Sequence, residues 1–170
     1  MRDPVHWNFF DADVLAWRVR VGMDDEFMCS LTEIRRAFEP AAAALAAKRR
    51  TVADIAQLRR HVSDIACSGH TRKSFAEADL AFHLAIGVAT ANPLMRSVAS
   101  VIEAALMTSF MYSSPVDEPA NQDATVQAHA AIVDAIEARD APAAADAMLE
   151  VIDVGGCKPI IGIIPSTKGT

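Results

Sequence analysis

Residues 75–86, FAEADLAFHLAI, decide how the chain reads. Phe75, Phe82 and Ile86 recur at helical spacing, and an α-helix sets residues i and i+4 on one face, one turn apart. Asp79 and His83 fall on the same side, so a carboxylate and an imidazole point inward, where an isolated charge is costly. A buried carboxylate calls for a partner: a base, a donor or a metal ion. An Asp oxygen and a His nitrogen on adjacent turns suit a divalent cation.

The segments on either side are helical too. Upstream, DADVLAWRVRV (11–21) reads as a short helix with Val14, Trp17 and Val21 on one side, ended by Gly22. Asp24 and Asp25 open a long helix to about Arg50, with Leu31, Ile34, Phe38, Ala41, Ala42 and Leu45 as its apolar stripe and Pro40 as a kink or restart. Thr51 and Asp54 form a capping pattern ahead of Ile55, Leu58, Val62 and Ile65. Downstream, Asn92-Pro93 starts a helix carrying Leu94, Val98, Val101, Ile102, Ala105 and Leu106 inward. A polar loop is expected over 113–123, then a helix with Val126, His129, Ile132, Val133 and Ile136. Asp140 restarts a last one through Met148 and Ile152. The expectation is an all-α fold, an antiparallel bundle of six to seven helices with a central ligand or metal cavity.

Composition agrees. The 170 residues suit one domain with a sizeable core, and 52% are hydrophobic. A net charge of −6 disfavours a free-standing nucleic-acid binder, which would carry a basic face. Cys29, Cys67 and Cys157 share no metal-type spacing and read, with no secretory signal ahead of them, as reduced cytosolic thiols. No apolar stretch reaches the ~20 residues that span a bilayer. The expected location is the cytoplasm, with no membrane contact.

His129 repeats the anomaly of the first pair on its own apolar stripe. A single inward histidine is more often a satisfied core residue, and Asp79 could serve only to orient His83. Two histidines and one aspartate, each inward, point instead to a metal or anionic-ligand site with positions left open. Arg35 stands one residue off the expected stripe. It is either a solvated partner of Glu39 at i+4 or a guanidinium placed to grip a carboxylate. Trp7 and Trp17 read as packing or interface residues. There is no HExxH, no G-x-S-x-G and no glycine-rich phosphate loop, so the chain is not expected to be an enzyme.

Three stretches carry a resemblance: LTEIRRAFEPAAAALAAKR (31–49), ADLAFHLAIGVATANPLM (78–95) and AHAAIVDAIEARDAPAAADAM (128–148). Together they resemble the C-terminal effector-binding (FCD) domain of FadR-subfamily GntR transcription regulators. The opening WNFFDADVLAW (7–17) is similar to members that respond to sugar acids such as galactonate. The resemblance implies a bundle whose cavity holds a divalent metal (Zn, Ni or Mn) through Asp79, His83 and His129. It also implies that Arg35 contacts the carboxylate of a small effector. A further His is often found near Val151, where valine cannot coordinate; sugar-acid-type members often lack it.

Two departures remain. The winged helix through which such regulators bind DNA is not in these residues, and residues 1–9 read as a linker remnant ahead of an effector bundle over 10–153. Residues 154–170, GGCKPIIGIIPSTKGT after Val154, form a tail unlike the family. A truncated gene or an isolated effector half would explain both ends. The leading expectation is therefore a ligand-sensing domain of a homodimeric regulator. The alternative is a truncated dimerisation partner that modulates an intact regulator without sensing a ligand. A small metalloenzyme is the least favoured of the three.

Overall fold

The structure, a computed structural model, describes residues 7–9, 11–116 and 119–155. Among these residues there are seven helices and no strand, which agrees with the expected all-α bundle. They are α1 (Ala12–Val21), α2 (Asp25–Arg49), α3 (Val52–Ile65), α4 (Arg72–Ala89), α5 (Pro93–Ser113), α6 (Pro119–Glu137) and α7 (Ala141–Gly155). Most of the expected linker remnant and of the tail lies outside the described residues.

Local chemistry sets the helix starts. Asp11 and Asp24 accept backbone N–H groups of their first turns. Thr51 and Asp54 form the reciprocal capping box read from the sequence, and Thr71 with Ser74 forms a second. Asn92 caps α5, with Pro93 in its first turn. Asp140 Oδ1 accepts the Ala143 N–H at 3.0 Å ahead of α7. Gly22 ends α1 at φ 105°, a conformation glycine adopts without strain.

Several expectations are corrected. The loop expected over 113–123 is shorter, because Pro119 starts α6, where a missing N–H costs nothing. Pro40 does not restart the helix: α2 runs through it. Leu15, not Trp17 or Val21, is the buried residue of α1, and Leu94 on α5 is exposed. Trp17 instead packs edge-to-face on Trp7, with ring centroids 4.9 Å apart. Cys67 is a free, exposed thiol, as expected; Cys157 lies outside the described residues.

Helix α2 is the spine, in contact with α4, α5, α6 and α7. Its C-terminal half presents Ala42, Ala43, Ala46 and Ala47, all buried, to the main core of Phe75, Phe82, Ile86, Ile132, Ile136, Met148 and Ile152. Small side chains there let α7 run close alongside. A smaller cluster gathers Leu15, Leu31, Leu80, Leu106 and Phe110. Along α2, Arg35 and Glu39 fall between Leu31 of the smaller cluster and Ala42 of the larger. The inward stripe of α2 thus passes through a charged pair, while Ile34, expected inside, is 44% exposed.

Candidate metal and acid-binding chamber

Helices α4 and α6 bring the expected residues together. Asp79 and His83 lie one turn apart on α4, and His129 comes in from α6. All three are buried, and their ligand atoms lie within 4.8 Å of one another. His129 Nε2 is 2.9 Å from Asp79 Oδ1, and His83 Nε2 is 3.4 Å from the same oxygen. His129 Nδ1 is 2.8 Å from the Thr125 carbonyl. A carbonyl only accepts, so Nδ1 carries the proton, and a neutral imidazole then turns a lone pair toward the carboxylate. Two acceptors face to face require a proton or a cation between them.

His83 is bounded on the other side by Glu39, whose Oε2 is 2.8 Å from Nδ1. Neither His83 nitrogen makes an aligned hydrogen bond, although the ring is buried. Its ring lies tilted against Phe110, centroids 5.1 Å apart. Glu39 also holds Arg35, accepting from Nε at 2.8 Å. The Arg35 guanidinium stacks over Phe110, 4.7 Å from the ring centroid. A chain of buried polar groups therefore runs from Arg35 through Glu39, His83 and Asp79 to His129.

The pair of readings left open for Arg35 resolves in part. It does pair with Glu39, but it is 2% exposed and not solvated. It lines a cavity of about 460 Å³ together with Asp79, His129, Thr125, Ser114 and Val151. That volume lies within the range of small-ligand sites. Val151 stands on the wall, as the expected fourth-ligand position would, and offers no donor. His83 sits behind Asp79 and does not line this cavity.

Glu39, Phe110 and Ser114 were missed. The i, i+4 spacing of Arg35 and Glu39 is visible in the sequence, but it places Glu39 only as the solvated partner of Arg35. Phe110 and Ser114 reach the site through α5, and no local pattern marks them.

The charges lock one another in place. Burial would raise the Glu39 carboxyl, but the charges of His83 and Arg35 bring it down to about 2. Burial also opposes ionised Asp79, and His129 and His83 overcome it, holding the carboxyl well below its usual range. Burial would lower His83, yet Glu39 and Asp79 push it up to about 9.

The sign for stability follows. In the metal-free protein, His83 contributes stability that is fully present below its ordinary 6.5 and fades as pH rises toward about 9. Glu39 contributes stability present above 4.5 and lost as pH falls toward about 2. The metal-free protein should be most stable between pH 4.5 and 6.5. Above that window stability should fall at up to ~1.4 kcal/mol per pH unit, the slope set by one proton. Urea midpoints measured from pH 4 to 10 in chelator test this; a flat profile above pH 7 contradicts it.

The donor set fits a divalent ion. Two nitrogens and a carboxylate oxygen lie within 4.8 Å of one another, within reach of one centre at bonds of ~2.0–2.2 Å. The remote nitrogen of His129 is held by the Thr125 carbonyl, and that of His83 faces Glu39.

The fold is an all-helical bundle enclosing a carboxylate and two imidazoles beside a buried arginine. A model of the FCD domain matches residues 30–154, and the chain belongs to that family. Over 146 residues it is 34% identical to the galactonate operon transcriptional repressor of Escherichia coli (strain K12), across 86% of this chain and 63% of that protein. It is 31% identical over 141 residues to the uncharacterized HTH-type transcriptional regulator YieP of the same organism, across 82% of this chain and 59% of YieP. The chain spans about six-tenths of the length of these relatives. Among solved structures, Streptococcus agalactiae GntR superposes with a TM-score of 0.65 at 27% identity, covering 76% of this chain and 58% of that one. E. coli McbR/YncC gives the same TM-score at 16% identity over 84% and 74%, a likeness of fold alone. The resemblance to GntR-type regulators read from the sequence is thereby confirmed.

Proposed function

We propose that this chain is the ligand-sensing part of a GntR/FadR-type transcription regulator, and that its chamber takes a small organic acid of the sugar-acid kind. The observation that carries this reading is the cluster of Asp79, His83 and His129 beside a cavity of about 460 Å³ that Asp79, His129 and a buried guanidinium, Arg35, line. The galactonate operon repressor among the relatives supports the choice of sugar acids.

Asp79, His83 and His129 would hold a divalent ion (Zn, Ni or Mn). The ion, when bound, supplies a Lewis-acid contact for the acid's oxygens. Arg35 supplies donors for the carboxylate, and Glu39 and Phe110 fix where its guanidinium sits. With neutral imidazoles, a divalent ion, Arg35, Glu39 and Asp79 leave one net positive charge, which a monocarboxylate neutralises. His83 must give up its proton for the ion to enter, so metal affinity rises with pH.

In the whole regulator, acid binding would shift the balance between bundle conformations in a homodimer and so the placement of its DNA-binding parts. The expected location is the cytoplasm; no helix among the described residues is long and apolar enough to cross a membrane.

The test is elemental analysis of the purified protein, followed by calorimetry with galactonate with and without chelator. The reading expects a near-stoichiometric divalent metal and acid-binding heat that chelator removes. Protein that carries no metal, takes up none and gives no heat with any sugar acid would refute it.

A further inference from the structure

We propose that Glu39 is a positioning residue that couples the metal centre to the acid clamp: one buried carboxylate holds both His83 and the Arg35 guanidinium, so order imposed on one is passed to the other. This rests on the acid-binding reading above. Glu39 belongs to α2, is 6% exposed and does not line the main cavity, so it acts on a guest only through its neighbours.

Its two oxygens are divided between those neighbours. Oε1 accepts from Arg35 Nε at 2.8 Å, and Oε2 lies 2.8 Å from His83 Nδ1. The contact from Arg35 Nη2 to Oε2, at 3.5 Å, is the weaker half of the fork. A guanidinium carries five N–H donors in a fixed plane. The Nε edge is the one Glu39 grips, which leaves the outer Nη donors for a carboxylate in the cavity that Arg35 lines.

His83 supplies the other half. A histidine that binds an ion through Nε2 keeps its proton on Nδ1, and Glu39 Oε2 is the acceptor in reach. The two atoms are close but lack the alignment of a full hydrogen bond, so a small turn of the ring makes or breaks it. Phe110 touches the same two groups, its ring centre 4.7 Å from the Arg35 guanidinium carbon and 5.1 Å from the His83 ring centre. A His83 ring fixed against Glu39 therefore leaves Arg35 fewer orientations, and an acid that binds next finds its donors already placed. By reciprocity, a bound acid tightens the ion by the same factor. Direct contact between acid and ion would also couple the two sites, but that part does not pass through Glu39, so substitution there separates the two routes.

The experiment measures zinc affinity by chelator competition in wild-type protein, Glu39→Gln and Glu39→Asp, each with and without saturating galactonate or gluconate, whichever the wild type binds more tightly. Glutamine keeps the shape but offers one acceptor and sets donors against the other neighbour. Aspartate keeps the charge and is one methylene too short to span both. Without acid, zinc should bind about 10- to 100-fold more weakly in both variants. The factor by which the acid tightens zinc should be smaller than in the wild type by at least about fivefold. That factor is a ratio within each protein, so a general loss of stability or of zinc affinity cancels from it, and a merely structural glutamate would leave it unchanged. The same factor in all three proteins overturns the coupling and leaves the acid-binding reading standing. So does a wild-type zinc affinity that the acid leaves unchanged while calorimetry still records acid binding. If zinc-loaded wild-type protein gives no heat with either acid, the chamber is not a sugar-acid site and both readings fall.

Discussion

Glu39→Leu is expected to destabilise the protein by ~3–5 kcal/mol, the cost of stripping a buried ion of its partner. Glu39 is the one carboxylate that faces both the Arg35 guanidinium and His83 Nδ1, and both those side chains are almost wholly buried. With leucine in its place, Arg35 keeps its charge, because a guanidinium does not deprotonate in a protein. It must then draw in water or leave the core. Arg35→Met combined with Glu39→Leu removes both charges and should recover most of the loss, so the two substitutions will not add. Urea unfolding of the two single variants and the double variant measures this. A single-variant loss below ~1 kcal/mol would show that the pair is effectively solvated, as surface pairs are.

Asp79→Ala is expected to cut divalent-metal affinity by well over ~100-fold, beyond what removal of an outer-sphere partner does. Asp79 contributes the only carboxylate in the donor set, and its Oδ1 is the atom both Nε2 nitrogens face. Two imidazoles alone lack the negative charge that offsets a divalent ion in a buried site. His83→Ala should weaken binding too while leaving the Asp79–His129 contact in place. Competition against a coloured chelator gives both constants. Tight, stoichiometric metal in Asp79→Ala would place the ion elsewhere.

The legible part of this protein was the part with local contrast. On α4, Phe75, Phe82 and Ile86 mark the inward face so strongly that Asp79 and His83 stand out against it. The stripe of α6 does the same for His129. On α2 the contrast misleads. Ile34 and Phe38 suggest one face, whereas the fold buries Leu31, Thr32, Arg35 and Glu39 and exposes Ile34. The alanines at 41–44, 46 and 47 fit either rotation of the helix, so nothing in them corrects the error. A charged pair at i, i+4 looks alike on a surface and in a core; what distinguishes them here is the acceptor-rich, aromatic company of His83 and Phe110, which comes from other helices. Ser114 and Phe110 were illegible for the same reason. The helix caps at Asp11, Asp24, Thr51, Thr71, Asn92 and Asp140 depend only on residues three or fewer positions away, and the sequence pointed to most of them.

The alanines of α2 have a mechanical corollary. A methyl group has no rotamer to change, so the seam of Ala42, Ala43, Ala46 and Ala47 against the main core can slide or separate but cannot repack. At the opposite end of the same rod the side chains are long, and charge holds Arg35 and Glu39 in register. One half of α2 is set by steric fit and the other by ion pairing, and the cavity lies on the ion-paired side.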